Sequence, residues 1–241
     1  MSISRRTLLA SLAATPLVSL LPRSAFAAYP DKPIRFICPF AAGGNADLVA
    51  RLMGEGMSPS LGPVLVTGAT GGVGRTAIAI LLERGYETWA STGKAAAHED
   101  LVALGVSGIL SREEVTVESS RPLETERWAA AVDCVGGATL PYLLRTLRYG
   151  GAVAASGNTG GAAFTTTVFP FILRGAALIG IDSAALPIAE RRSLWERLAT
   201  DLRPRALGDR ATEVTLEGLP DALDGILAGR AHGRWIVRVG G

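Results

Sequence analysis

The chain has 241 residues, long enough for one large domain or a medium domain with additions. Hydrophobic residues make up 48% and the formal net charge is +2, so a packed core is expected, and neither extended disorder nor a nucleic-acid partner is. Cys38, Cys134, His98 and His232 lack the spacing of a metal site, and no metal is expected.

Residues 1–28 read as an export signal rather than a fold element. Arg5 and Arg6 form a twin-arginine pair, an apolar stretch runs over 8–21, and Ala25-Phe26-Ala27 offers a small-residue cleavage site. Pro16 interrupts the apolar run, which is short for a bilayer span, so no stable membrane anchor is expected. The expected location is periplasmic if the signal is used and cytoplasmic otherwise.

Residues 29–62 read as a strand over 32–40, a glycine-rich turn over 41–47, and a helix through Leu48, Leu52 and Met53. Such a turn can offer backbone N–H groups to an anion at the helix N-terminus. Tyr29-Pro30-Asp31-Lys32-Pro33-Ile34-Arg35 and Pro39-Phe40-Ala41-Ala42-Gly43-Gly44-Asn45-Ala46-Asp47 resemble the opening of periplasmic solute-binding proteins of the tripartite tricarboxylate transporter (Bug) family. That resemblance stops near Leu61-Gly62 and implies a loop that holds a ligand carboxylate.

From Pro63 strands and helices alternate, which predicts an α/β fold of Rossmann type, a doubly wound parallel sheet over 63–241. The predicted elements are a buried strand over 63–69, a helix over 74–84, a strand over 86–91, a helix over 95–104 and a short strand over 107–110. A strand over 128–135, a helix over 138–147, a strand over 151–157 and a strand over 177–182 follow. A strongly amphipathic helix over 188–202 precedes a final strand, helix and strand at 213–216, 219–228 and 234–239.

The first of these strands ends in Val66-Thr67-Gly68-Ala69-Thr70-Gly71-Gly72-Val73-Gly74 and opens directly into a helix. In this reading Gly71 allows the tight turn, Gly72 lets the backbone approach a pyrophosphate, and Gly74 lets helix and strand pack closely. Free N–H donors and a partial positive charge at the helix start suit phosphate. The second strand selects the cofactor. An NAD site places an acid at its end, about 20 residues past the fingerprint, to hold the ribose 2′-hydroxyl. Here that end reads Ala90-Ser91-Thr92-Gly93-Lys94, with no acid to repel a 2′-phosphate and with an ammonium to bind one. NADP(H) is the expected cofactor. Residues 133–137, Gly157-Asn158 and Ser183 follow other strands and complete the expected rim.

Several further stretches are distinctive: Arg121-Pro122-Leu123-Glu124 before Trp128, Asp133-Cys134-Val135-Gly136-Gly137, Tyr149-Gly150-Gly151, residues 166–174 and Gly180-Ile181-Asp182-Ser183. Together with the glycine motif they resemble the zinc-free acrylyl-CoA reductase and quinone oxidoreductase branch of the medium-chain dehydrogenase/reductase superfamily. The resemblance runs over 62–239. It implies cofactor contacts at Thr70, Gly71, Gly72, Val73 and Gly74, at Ser91, Thr92, Gly93 and Lys94, and at Cys134, Asn158, Phe164, Val168 and Ser183. Lys94 stands where arginine is common in the family, and Asn158 where an apolar residue is. The implied activity is NADPH-dependent reduction of an activated alkene, an acrylyl-CoA-like thioester, or of a quinone. A homodimer is compatible with this reading, and the catalytic residues stay unassigned.

The family also carries an N-terminal GroES-like barrel that covers the nicotinamide, and residues 1–62 do not resemble it. An impaired reductase is therefore expected, and the C-terminal strand that normally joins the two domains is expected to keep an unpaired edge. The alternatives are a non-catalytic nucleotide-binding product of gene fusion or misassembly, and a periplasmic carboxylate-binding receptor.

Overall fold

The structure is a computed structural model, and it describes residues 34–37, 58–204 and 211–239. The twin-arginine segment, the turn over 41–47 and the helix through Leu48, Leu52 and Met53 lie outside the described residues.

Short runs of apolar residues bounded by turns dictate the central layer. The strands are β1 (Ile34–Ile37), β2 (Val64–Val66), β3 (Thr88–Thr92), β4 (Gly108–Ser111), β5 (Trp128–Asp133), β6 (Leu147–Ala155) and β7 (Ala177–Gly180). Strands β2 to β7 form one sheet in the order β4-β3-β2-β5-β6-β7, and every neighbouring pair is parallel. This is the strand order of a doubly wound Rossmann sheet, with the reversal between β2 and β5.

Both faces of that sheet are covered, and for that reason the central strands β2 and β5 are nearly continuous apolar runs rather than alternating. Val64, Val66, Ala130, Val132, Ala152 and Ala154 pack on one side with Ile78, Leu81 and Leu101. Leu65, Ala131 and Val153 point the other way, against Leu143, Leu144 and Leu147. Successive strand side chains alternate faces, so each odd–even pair feeds two cores. Each fully buried leucine contributes about 1.5–3 kcal/mol.

The covering helices are α1 (Gly72–Glu83), α2 (His98–Leu104), α3 (Thr139–Thr146), α4 (Phe169–Arg174) and α5 (Ile188–Ala199). Helix α2 follows a 3-10 turn at Ala95–Ala97, so the expected helix over 95–104 is two elements. Strand β6 starts at Leu147 rather than near 151, with a register shift against β5 between Trp128 and Ala130. Helix α4 has no counterpart among the predicted elements. Pro170 sits in its first turn and Gly175 ends it at φ +59°, both of which its six residues tolerate. Helix α5 has the predicted location, yet Leu194 is its one buried residue, and Ile188 and Trp195 are exposed.

The chain ends in β8 (Ala211–Thr215), α6 (Leu219–Leu227) and β9 (Arg234–Val239). These make a second sheet in the order β1-β9-β8. Strand β9 pairs parallel with β8 and antiparallel with β1, where Ile34 faces Val239 and Ile37 faces Ile236. The expected unpaired edge on the C-terminal strand is therefore corrected: both edges of β9 are paired. A bridge between Gly71 and Gly233 places the start of β9 beside the turn between β2 and α1.

Candidate nucleotide-binding site

At the carboxyl end of β2 the backbone turns sharply into α1. Gly68 carries the left-handed conformation, φ +59°, which a β-carbon disfavours. Gly71 is extended, with φ −76° and ψ 163°. The tight-turn role expected of Gly71 therefore falls to Gly68, while Gly71 caps the helix and its N–H donates to the Gly68 carbonyl over 3.0 Å. Gly74 has the close-packing role expected of it. A β-carbon there would lie 2.5 Å from the Gly68 oxygen and 2.9 Å from the Ala69 α-carbon.

Helix α1 begins without a side-chain cap and without an acid in its first turn. The N–H groups of Gly72, Val73 and Gly74 thus open a helix whose dipole favours an anion. Beside them Arg234 donates to the Thr76 hydroxyl over 3.1 Å and to the Gly72 carbonyl over 3.4 Å. Burial holds this guanidinium below its ordinary pKa. A β-carbon on Gly72 would come within 3.0 Å of the Arg234 Cγ, so the missing side chain at position 72 makes room for this arginine.

The end of β3 lies alongside. Thr70 and Thr92 are buried, with hydroxyls 3.4 Å apart, and the Ala69 N–H donates to the Ser91 carbonyl over 3.1 Å. Ser91 is buried and its hydroxyl points to the Ser111 carbonyl at 3.5 Å. The Thr92 hydroxyl accepts from the Lys94 N–H over 3.1 Å. Exposed Gly93 leads to half-buried Lys94, whose ammonium donates to the Ala231 carbonyl. Burial, and secondarily the Arg112 charge, lower the pKa of this ammonium.

The next crevice wall is built on Asp133 at the end of β5. Its carboxylate is fully buried and accepts from the Thr67 hydroxyl (2.6 Å), the Thr139 hydroxyl (2.8 Å) and the Gly136 N–H (2.7 Å). Thr67 in turn accepts from the Cys134 N–H over 3.1 Å. Asp133 therefore ties the strand leading into the glycine turn to the Gly136-Gly137 turn. Both of those glycines have positive φ, and a β-carbon on Gly136 would lie 2.6 Å from the Gly161 oxygen. The Gly160 N–H donates to Val135 over 2.7 Å, stacking the loop that carries Asn158 on the turn that carries Cys134.

The family model described as zinc-binding dehydrogenase matches residues 72–200. The putative quinone oxidoreductase YhfP of Bacillus subtilis is 49% identical over 202 residues, covering 82% of this chain and 61% of that protein. The chain belongs to the zinc-binding dehydrogenase family. The acrylyl-CoA reductase AcuI of Ruegeria pomeroyi is 47% identical over 199 residues, covering 82% of this chain and 60% of that protein. The yhdH oxidoreductase of Salmonella enterica, crystallised with NADP, superposes with a TM-score of 0.78 at 44% identity, over 83% of this chain and 61% of that one. The Bacillus subtilis protein, crystallised with NAD, gives a TM-score of 0.79 at 48% identity, over 83% and 61%. The chain thus spans about three fifths of the length of the relatives it matches.

Within this member of the zinc-binding dehydrogenase family the expected site residues fall into four groups. Thr70, Gly71, Gly72, Val73 and Gly74 adjoin Ser91, Thr92, Gly93 and Lys94 at the carboxyl ends of β2 and β3. Cys134 and Asn158 are brought together on the next wall by the stacked glycines. Cys134 is a free thiol, and burial pushes it up to about 12. Phe164 and Val168 are exposed on the approach to α4. Ser183 lies past β7, in a loop where the Asp182 carboxylate accepts from the Ala184 and Ala185 N–H groups, both at 2.9 Å. Arg191 from α5 fastens that loop through the Ser183 carbonyl at 2.9 Å.

Gly68, Arg112 and Arg234 are not among the expected site residues, and Asp133 lies in the expected rim without a role of its own. Asp133 and Arg112 each stand at or just after the carboxyl end of a parallel strand, a position readable from the strand pattern. Arg234 is 162 residues from Gly72 along the chain, and no local pattern joins them. Among the described residues, no group of three or more His, Cys, Asp and Glu side chains is placed to hold a metal ion. No helix among them is long and apolar enough to cross a membrane.

Proposed function

We propose that residues 63–241 form the NADPH-binding platform of a zinc-free reductase, acting by hydride transfer on an activated alkene such as an acrylyl-CoA-like thioester, or on a quinone. The observation that carries the reading is the uncapped start of α1, packed on β2 through Gly74, beside a β3 end that offers Lys94 and no carboxylate. The residues fit the nucleotide. The N–H groups of residues 72–74 suit its pyrophosphate, Arg234 adds positive charge at the same turn, and Lys94 suits a 2′-phosphate. The bound nucleotide supplies a hydride. The chain's own residues bind and orient it, with the Gly136-Gly137 turn and the loop holding Asn158 forming the wall toward the nicotinamide end.

The names of the relatives support the same reading, as a quinone oxidoreductase and an acrylyl-CoA reductase. Orientation and exclusion of water supply much of a hydride-transfer enzyme's rate. Phe164 and Val168, both expected to contact the nucleotide, are open to solvent, so turnover by this chain is expected to be weak compared with nucleotide binding. Residues 1–28 are proposed as an export signal and 29–62 as a separate fragment like the opening of a solute-binding protein. NADPH oxidation followed by absorbance, with acrylyl-CoA and then a quinone as acceptor, tests the activity. Acceptor-dependent oxidation supports a reductase. Nucleotide binding with no oxidation on any acceptor leaves a binding platform and rejects catalysis.

A further inference from the structure

The reversal of the sheet between β2 and β5 opens a crevice at their carboxyl ends, the place where a ligand sits in this topology. Helix α1 packs on the face of Val64 and Val66, and α3 on the face of Leu65. The two strands stay joined as far as Val132, whose carbonyl accepts from the Thr67 N–H over 2.9 Å. Beyond that rung side chains make the join. The Thr67 hydroxyl donates to Asp133 Oδ1 over 2.6 Å and accepts from the Cys134 N–H over 3.1 Å. Asp133 thus closes the floor of the crevice.

Its two oxygens hold different parts. Oδ1 accepts from Thr67 and, over 2.8 Å, from Thr139 at the start of α3, while Oδ2 accepts from the Gly136 N–H over 2.7 Å. Gly136 and Gly137 both have positive φ, and the loop after β6 lies directly on them. A β-carbon on Gly137 would run into the Gly160 carbonyl, and one on Gly157 into the Cys134 carbonyl. Bare backbone rests on bare backbone, so a shift of the Gly136 N–H passes to the loop with Asn158 with no side chain to absorb it. All three partners are donors, so only a group that accepts on both oxygens satisfies them. Among the described residues no cation pairs with this carboxylate. A buried charge held by neutral donors alone is a poor stabiliser, whereas three convergent donors make it a firm fixture for the turn.

We propose that Asp133 is a positioning residue for the nicotinamide half of the dinucleotide, setting the distance between the glycine turn after β2 and the wall that carries Asn158. This rests on the NADPH reading above. Asp133 has no exposed surface, so it acts through the Gly136 N–H rather than by touching the nucleotide. The adenosine half lies toward β3, on the other side of β2 from this wall, and does not depend on it.

The test is calorimetric titration of the full chain with NADPH and with 2′,5′-ADP, which keeps the adenosine half and lacks the nicotinamide half. In Asp133→Asn the side-chain amide turns a donor on the Gly136 N–H. NADPH is then expected to bind about tenfold more weakly, and 2′,5′-ADP within about twofold of the parent. Thr67→Val removes one donor, keeps the side-chain volume, and is expected to act in the same direction, with Thr67→Ser restoring parental binding. This second pair decides the question if Asp133→Asn does not fold. Equal loss of both ligands, as general loosening would give, or loss of neither, would overturn the role of Asp133 and leave the NADPH reading in place. A parent chain that binds NADPH no more tightly than 2′,5′-ADP would overturn this inference alone. A folded parent chain that binds neither ligand would overturn the NADPH reading and this inference with it.

Discussion

Gly74 is the residue at which sequence and site meet most tightly. Its missing β-carbon keeps α1 against β2, and a valine would press on the Gly68 oxygen and the Ala69 backbone, which are main-chain atoms without freedom to turn aside. Gly74→Val is expected to cost about 1–3 kcal/mol of stability, read from the urea midpoint, and to abolish nucleotide binding in whatever fraction remains folded. Cys134 gives a second residue-scale expectation. Burial raises its thiol from the ordinary value of 9.0 to about 12, so the folded protein keeps a proton that the unfolded chain loses. Stability from this group is intact below pH 9 and falls as pH rises from about 9 to 12, because the unfolded state binds fewer protons there. Alkylation by iodoacetamide at pH 8 is expected to be far slower for the native chain than for the chain in urea. Equal rates would show that the sulfur is not held as described. The strand, glycine turn and helix that carry Thr70 to Gly74 are legible in the sequence, because they follow one another within a dozen positions, while their contacts to a nucleotide are a proposal. The assignment of the tight turn to Gly71 missed because spacing alone does not reveal which glycine has positive φ.

At the scale of elements, two of the stretches that look distinctive in the sequence, 121–124 and 166–174, are joined by a buried clip. Arg174, at the end of α4, donates to the Arg145 and Leu147 carbonyls, both over 2.8 Å, and also to the Glu124 carbonyl. Arg145 itself is buried and pairs with the Glu124 carboxylate at 2.9 Å while reaching the Val117 carbonyl. The Arg145 carbonyl also accepts from the Glu124 N–H over 2.9 Å, so Arg174 adds a second donor there and ties α4 to the end of α3, the start of β6 and the Glu124 segment. Arg174→Leu is expected to cost about 3 kcal/mol, with partial rescue by Arg174→Lys; a thermal midpoint unchanged by Arg174→Leu would remove the clip from the account. The element pattern itself was largely readable, since apolar strands alternate with amphipathic helices. Helix α4 escaped because six residues with a proline in the first turn show no period. The β6 start escaped because Gly150 and Gly151 suggest a break, whereas the strand passes through them with a register shift.

For the whole molecule, the six-stranded sheet and its order follow from local patterning, while the second sheet does not. It joins β1 and β9, which lie nearly two hundred positions apart, and their antiparallel pairing is set by long-range register that composition does not carry. Separations of 162 and 137 positions likewise hide Arg234 and the Ala231 carbonyl, which reach the glycine turn and Lys94 only once the chain has folded. The proposed nucleotide site is thus a local motif closed by a remote strap. The strap makes an expectation of its own: amide hydrogens of Ile236 and Val237, in the middle of β9, should exchange slowly in the full chain, and fast exchange there would contradict the paired sheet. The most direct test of the central claim is calorimetric titration of the purified full chain with NADPH and with NADH. Saturable one-site binding of NADPH, at least tenfold tighter than NADH, is expected from an uncapped helix start beside a cationic strand end. A folded chain that gives no heat with either dinucleotide would contradict it.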